Sequence, residues 1–109
     1  MKVGRKILRG PVEAGTEVDR FWSTDGYVEV PKEMLRQAGF DHGSSVQLEP
    51  VSDGIARVCH AKPGFQELAV HQARMCLRLW KGTVRRAGLN TNAGKVTFVF
   101  SEGGIEVRT

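Results

Sequence analysis

The sequence predicts a mainly β fold with short helices, arranged as two related strand–helix–strand–strand units in one domain. Three observations predict it. Short alternating apolar runs recur between turn signals, as at Gly26–Val30, Ser45–Glu49 and Lys95–Phe100, and such alternation marks half-buried strands. Two brief stretches of helical spacing each end in a glycine followed by a large apolar residue, Gly39-Phe40 and Gly88-Leu89. The two halves also match one another: at a spacing of 49 residues Lys32/Lys81, Arg36/Arg85, Ala38/Ala87 and Gly39/Gly88 are identical, and at 50 so are Val46/Val96, Gly54/Gly104 and Ile55/Ile105. Self-similarity at a fixed spacing is the signature of duplicated units. A chain of 109 residues with 40% hydrophobic content holds one core, whereas half of it would bury too little surface.

Residues 1–22 read as a basic arm with a first strand at Lys6–Arg9. Gly10-Pro11 breaks it, and a polar, acidic stretch leads to Phe21-Trp22. Residues 23–59 form the first unit. Ser23-Thr24-Asp25-Gly26 turns the chain into a strand with Val28 and Val30 on one face. Pro31 suits the first position of a helix over Lys32–Ala38, where Met34, Leu35 and Ala38 share a face. After the Gly39 cap, Ser45–Glu49 and Ile55–Cys59 are strands joined by a Ser52-Asp53-Gly54 turn.

Residues 60–74 read as a linker, broken at Lys62-Pro63-Gly64, with a short amphipathic helix from Phe65 to about Arg74. Residues 75–109 repeat the plan: a strand at Met75–Trp80, a helix over Lys81–Ala87, and strands at Lys95–Phe100 and Ile105–Arg108.

Charge is unevenly placed. The net charge of +4 divides into +4 over residues 1–10, −5 over 11–67, +6 over 68–101 and −1 over the last eight. The stretch 68–101 contains no carboxylate, which makes it a candidate phosphate-facing surface; the alternative is a solvated face that pairs with the acidic half. No apolar run approaches the roughly 20 residues of a membrane span, and the basic start lacks the apolar segment of a secretory signal. The expectation is a cytoplasmic protein whose two cysteines, Cys59 and Cys76, are reduced thiols.

The segment Asp25-Gly-Tyr-Val-Glu-Val-Pro-Lys-Glu-Met-Leu-Arg-Gln-Ala-Gly-Phe40 resembles the AbrB/MazE/SpoVT swapped-hairpin family. Gly26, Val28, Val30, Pro31, Arg36, Gly39 and Phe40 fit its pattern, followed by Val46, Leu48 and Asp53-Gly54-Ile55. The second half, Leu77-Arg-Leu-Trp-Lys-Gly-Thr-Val-Arg-Arg-Ala-Gly-Leu89, looks more like the related SymE branch. The resemblance covers roughly residues 20–59 and 75–108, on motifs made mostly of turn and core residues. It implies that two units interlock into a closed barrel, here as a single-chain pseudo-dimer, either monomeric or paired further as a homodimer.

The resemblance also implies DNA binding through basic residues before and on the first strand and on the helix. Carried over by position, these are Arg20 and Arg36 in the first copy and Arg85 in the second, with Lys32 matching Lys81 and with Arg78 and Arg86 as further basic neighbours. Tyr27 and Leu35 stand where the family has arginines. The first half is acidic, so an asymmetric grip led by the second half fits the charges best. Lys and Arg would neutralise phosphates and release counterions. Trp22, Tyr27 or Trp80 would stack on unpaired bases if the ligand is single-stranded; otherwise Trp80 belongs to the core and Trp22 covers the end of the barrel.

Of the possible chemistries, a zinc site from Cys59, His60, His71 and Cys76 is disfavoured by a spacing unlike zinc fingers, and cysteine packs well as a small core residue. Asp41, Asp53 and Glu33 fall in a turn, a hairpin and a helix, with nothing to align them. There is no phosphate-cradling glycine loop, metalloprotease motif or nucleophile elbow. The expected function is therefore a DNA-binding transcriptional regulator or antitoxin-type protein without cofactor, DNA being favoured over RNA as partner. The alternatives are a SymE-like RNA-binding toxin and a protein-binding inhibitor module that does not touch nucleic acid.

Overall fold

Proline, tryptophan and glycine punctuate the two helices. The computed structural model describes residues 12–62, 68–70, 75–101 and 104–109. Within them Pro31 precedes α1 (Lys32–Gln37) and Trp80 precedes α2 (Lys81–Arg86). Both helices end alike. The Phe40 amide donates to the Leu35 carbonyl at 2.9 Å and the Gly39 amide to Arg36 at 3.1 Å; Leu89 donates to Val84 at 3.2 Å and Gly88 to Arg85 at 2.9 Å. This pattern needs a left-handed residue at the glycine, and Gly39 and Gly88 have φ of 88° and 87°. Leu35, Phe40, Val84 and Leu89 are all buried in the one core.

Among the described residues there are eight strands: β1 (Glu17–Phe21), β2 (Tyr27–Glu29), β3 (Ser45–Ser52), β4 (Ile55–His60), β5 (Leu68–Ala69), β6 (Arg78–Trp80), β7 (Lys95–Ser101) and β8 (Gly104–Arg108). All pairings are antiparallel. Six strands form one sheet in the order β1-β7-β8-β4-β3-β5, and β2 pairs with β6 in a separate ribbon. The hairpins β3–β4 and β7–β8 lie side by side through β4 and β8. Each half contributes its leading strand to the other half's hairpin: β1 pairs with β7, and β5 with β3.

Val18, Val46, Val58, Val96, Phe98, Ile105 and Val107 of the sheet, Val28 and Leu79 of the ribbon, and Met34, Leu35 and Val84 of the helices form a single core. No helix among the described residues is long and apolar enough to cross a membrane.

Several expectations change. The strand expected at Lys6–Arg9 lies outside the described residues. Within the polar, acidic stretch before Trp22, Glu17–Phe21 forms β1. Its polar face is matched across the ladder, where Asp19 accepts hydrogen bonds from Thr97 Oγ1 (2.7 Å) and Lys95 Nζ (3.0 Å). Leu68–Ala69, placed in a helix from sequence, is a strand because Ser45 and Val46 offer an open edge to pair with. The neighbouring residues 63–67 and 71–74 lie outside the described residues. The six-stranded ladder ends at β1 and β5, so among the described residues it does not close on itself as a barrel ladder would.

The matches at a spacing of 50 also fail beyond β3. Pro50 faces Ala56 and Ser52 faces Ile55, which leaves Val51 as a bulge. That extra residue restores a spacing of 49, so the inward residues Ala56 and Val58 correspond to Ile105 and Val107 rather than Ile55 to Ile105.

Candidate nucleic-acid interface

Alternation along β2 and β6 gives their ribbon two unlike faces. Val28 and Leu79 face each other and are buried, so Tyr27, Glu29, Arg78 and Trp80 project from the opposite face. Tyr27 lies directly across from Trp80, and Glu29 from Arg78. The Tyr27 and Trp80 rings are 5.0 Å apart at their centroids and inclined at 56°. Trp80 remains 44% exposed, so the option of a core tryptophan is excluded.

Cations sit on these rings. The Arg78 guanidinium carbon is 4.5 Å from the Tyr27 centroid, and Lys81 Nζ is 5.6 Å from that of Trp22. Such contacts hold a cation in place at about 0.5–1 kcal/mol on an exposed surface, without neutralising it. The Arg78 Nε atom is buried and has no hydrogen-bond partner. Trp22 is fixed at one edge, its indole Nε1 donating to the Ala93 carbonyl at 3.1 Å. The Lys81 amide donates to the Gly26 carbonyl at 3.0 Å, which anchors the start of α2 beside the start of β2.

Arg85 and Arg86 continue along α2, both exposed. Arg85 Nε donates to Thr91 Oγ1 at 2.7 Å, and an Arg86 terminal nitrogen to Thr83 Oγ1 at 3.4 Å. Both partners are neutral hydroxyls. Among the described residues the ion pairs are Arg36–Glu33, Arg57–Glu106, Lys62–Glu49, Lys95–Asp19 and Arg108–Glu106; Arg78, Lys81, Arg85 and Arg86 are in none of them, although Glu29 stands across the ladder from Arg78. Lys95, from the same acid-free stretch, is paired, because Asp19 holds it at 3.0 Å.

The sequence-derived residues thus divide. Arg78, Lys81, Arg85 and Arg86 follow one another along β6 and α2 beside the aromatic cluster. Lys32 and Arg36 lie on α1, which leaves the opposite end of the ribbon, and Arg36 is tied to Glu33 at 3.4 Å. Arg20 is half-buried in β1, with a guanidinium nitrogen donating to the Asp19 carbonyl at 3.2 Å. Leu35 is fully buried, which accounts for the absence of arginine there. The basic residues Lys2, Arg5, Lys6, Arg9 and Arg74 lie outside the described residues. What the sequence did not reveal was the pairing of Tyr27 with Trp80 and the seating of Arg78 and Lys81 on aromatic rings.

Among the described residues no three His, Cys, Asp or Glu side chains gather as a metal site; His71 lies outside them. Cys59 is a free thiol whose pKa is raised, first by burial and then by the Glu49 carboxylate, to which Sγ lies at 3.9 Å. A thiol held protonated is a poor nucleophile and a poor metal ligand. Comparison with protein-family models, with curated proteins and with solved structures gives no match.

Proposed function

We propose that this chain is a nucleic-acid-binding protein, a DNA-binding regulator or antitoxin-type protein, built from a duplicated swapped-hairpin unit of the AbrB/SymE kind. One observation carries the binding assignment: Arg78, Lys81, Arg85 and Arg86 follow one another along β6 and α2, and none of them is in an ion pair among the described residues. Clustered cations free of ion pairs are the electrostatic footprint of a phosphate-binding surface.

The topology supports the duplication. Exchanging the halves turns β1-β7-β8-β4-β3-β5 into the same order read from its other end. In two of the four ladders that join the halves, β2–β6 and β4–β8, a residue faces its own counterpart 49 positions on: Glu29 faces Arg78, and Arg57 faces Glu106. That is the arrangement of a pseudo-twofold axis passing through both ladders. A SymE-like RNA-binding role is the second reading, favoured by the exposure of Trp80.

Fluorescence anisotropy of duplex DNA and single-stranded RNA at two or more salt concentrations tests the proposal. Four phosphate contacts predict a slope of about −3 to −4 in log affinity against log salt. The double variant Arg85→Glu, Arg86→Glu is expected to lower that slope by about two. No binding at low salt, or no effect of the double variant on any nucleic acid, would overturn it in favour of a protein partner.

A further inference from the structure

If the two halves are related by a pseudo-twofold axis, the ribbon has two corresponding ends, and they differ. At one end stand Trp22, Tyr27, Trp80 and Lys81. The positions related to Tyr27 and Trp80 at a spacing of 49 are Cys76 and Pro31, half-buried and buried. The counterpart of Trp22 follows from the backbone: Trp22 donates its amide to the Gly94 carbonyl as Val70 does to Ser44, at 3.1 and 3.0 Å. Val70 is buried. The second end therefore has none of these rings, although its lysine is kept as Lys32. Three aromatic residues replace three small or apolar ones at a single end; Trp22 packs partly against the core, whereas Trp80, 44% exposed, is not required by it.

The geometry points to one binding site per chain at the Trp22–Tyr27–Trp80 end, taking an unpaired nucleobase flanked by phosphates. Trp80 offers the base an exposed ring, and its inclined neighbour Tyr27, itself under Arg78, fixes that ring from one side. Arg78 and Lys81 are placed to meet the adjoining phosphates. Base–aromatic stacking is tolerant of sequence, because every base has a π-face. Duplex DNA cannot use such a platform without unstacking a base, so the site selects a single-stranded segment. This inference rests on the nucleic-acid reading above and narrows its ligand.

The test uses the whole chain and three labelled probes: a blunt DNA duplex, the same duplex with an oligo(dT) tail, and the same duplex with an oligo(U) tail. The tailed probes are expected to bind about tenfold more tightly than the blunt one, at one probe per chain. Trp80→Ala should abolish the gain, and Trp80→Phe should restore most of it. A circular dichroism melt of both variants confirms folding. Preference between the two tails names the sugar, and either preference supports the site. Binding that ignores the tail, or a tail effect that survives Trp80→Ala, overturns this inference and leaves the phosphate-binding reading intact. Absence of binding to all three probes overturns both.

Discussion

Gly39 and Gly88 each sit at a φ near +88°, where a Cβ would crowd the following carbonyl. Space is not the difficulty, since a Cβ built at either position meets nothing within 4 Å. The cost of substitution is therefore the backbone conformation alone. Gly88→Ala is expected to destabilise the fold by about 1–2 kcal/mol in chemical denaturation. Cys59 is the other residue whose surroundings make a direct prediction. Burial and Glu49 keep its thiol protonated above the ordinary range, so the folded chain holds a proton that the unfolded chain releases. Its contribution to stability is complete below the ordinary thiol pKa and declines as pH rises through the raised value. Iodoacetamide should label Cys59 more slowly in the folded than in the unfolded protein at pH 8.5, followed by peptide mass mapping.

The ribbon of β2 and β6 shows how an element divides its work between faces. Leu79 and Trp80 are adjacent in sequence and point in opposite directions, one fully buried and the other exposed. Leu79→Ala leaves a cavity beneath the ribbon and should cost about 2–5 kcal/mol by urea unfolding. Trp80→Ala should cost far less, since much of its surface is already in water. A comparable loss from both would mean that Trp80 is a structural residue. The helices carry a related contrast. On α1 the Gln37 side-chain amide both donates to and accepts from the backbone of Val12, which ties the segment before β1 to the helix. Arg86 occupies the corresponding place on α2, 49 positions on, and donates instead to Thr83 of its own helix.

At the scale of the whole molecule, neither half has a complete set of partners. Among the described residues β2 pairs only with β6, β1 only with β7, and β4 is flanked by β3 and β8. A fragment of residues 1–60 would expose the apolar face of β2 and unpaired edges of β1, β3 and β4, a known route to association. Analytical ultracentrifugation of that fragment should find it unfolded or self-associated. A stable folded monomer would remove the case for interlocked halves. The unequal charge of the halves belongs to this scale too, because it makes any grip on a polyanion lopsided and strongly salt-dependent.

The local elements were legible in the sequence. Pro31, Gly39, Gly88 and Asp53-Gly54 impose backbone conformations on themselves, and the alternation of Val46 and Leu48 or Val96 and Phe98 needs only a water-facing and a core-facing side. The seven candidate cations were legible as charges. The loss of Lys95 from the acid-free stretch to an ion pair was not, because it depended on Asp19 reaching it across a ladder between strands far apart in sequence. β1 and β5 escaped detection for the same reason: β1 is mostly polar and β5 is only two residues long, and each owes its strand form to the open edge it pairs with in the other half. Short-range sterics and burial preference thus determined the helices, turns and hairpins from the sequence itself. The pairing of the halves, the exposure of Trp80 and the meeting of Tyr27, Arg78 and Lys81 with their aromatic or cationic neighbours were decided only by tertiary structure, because long-range registers bring together residues that no local pattern links.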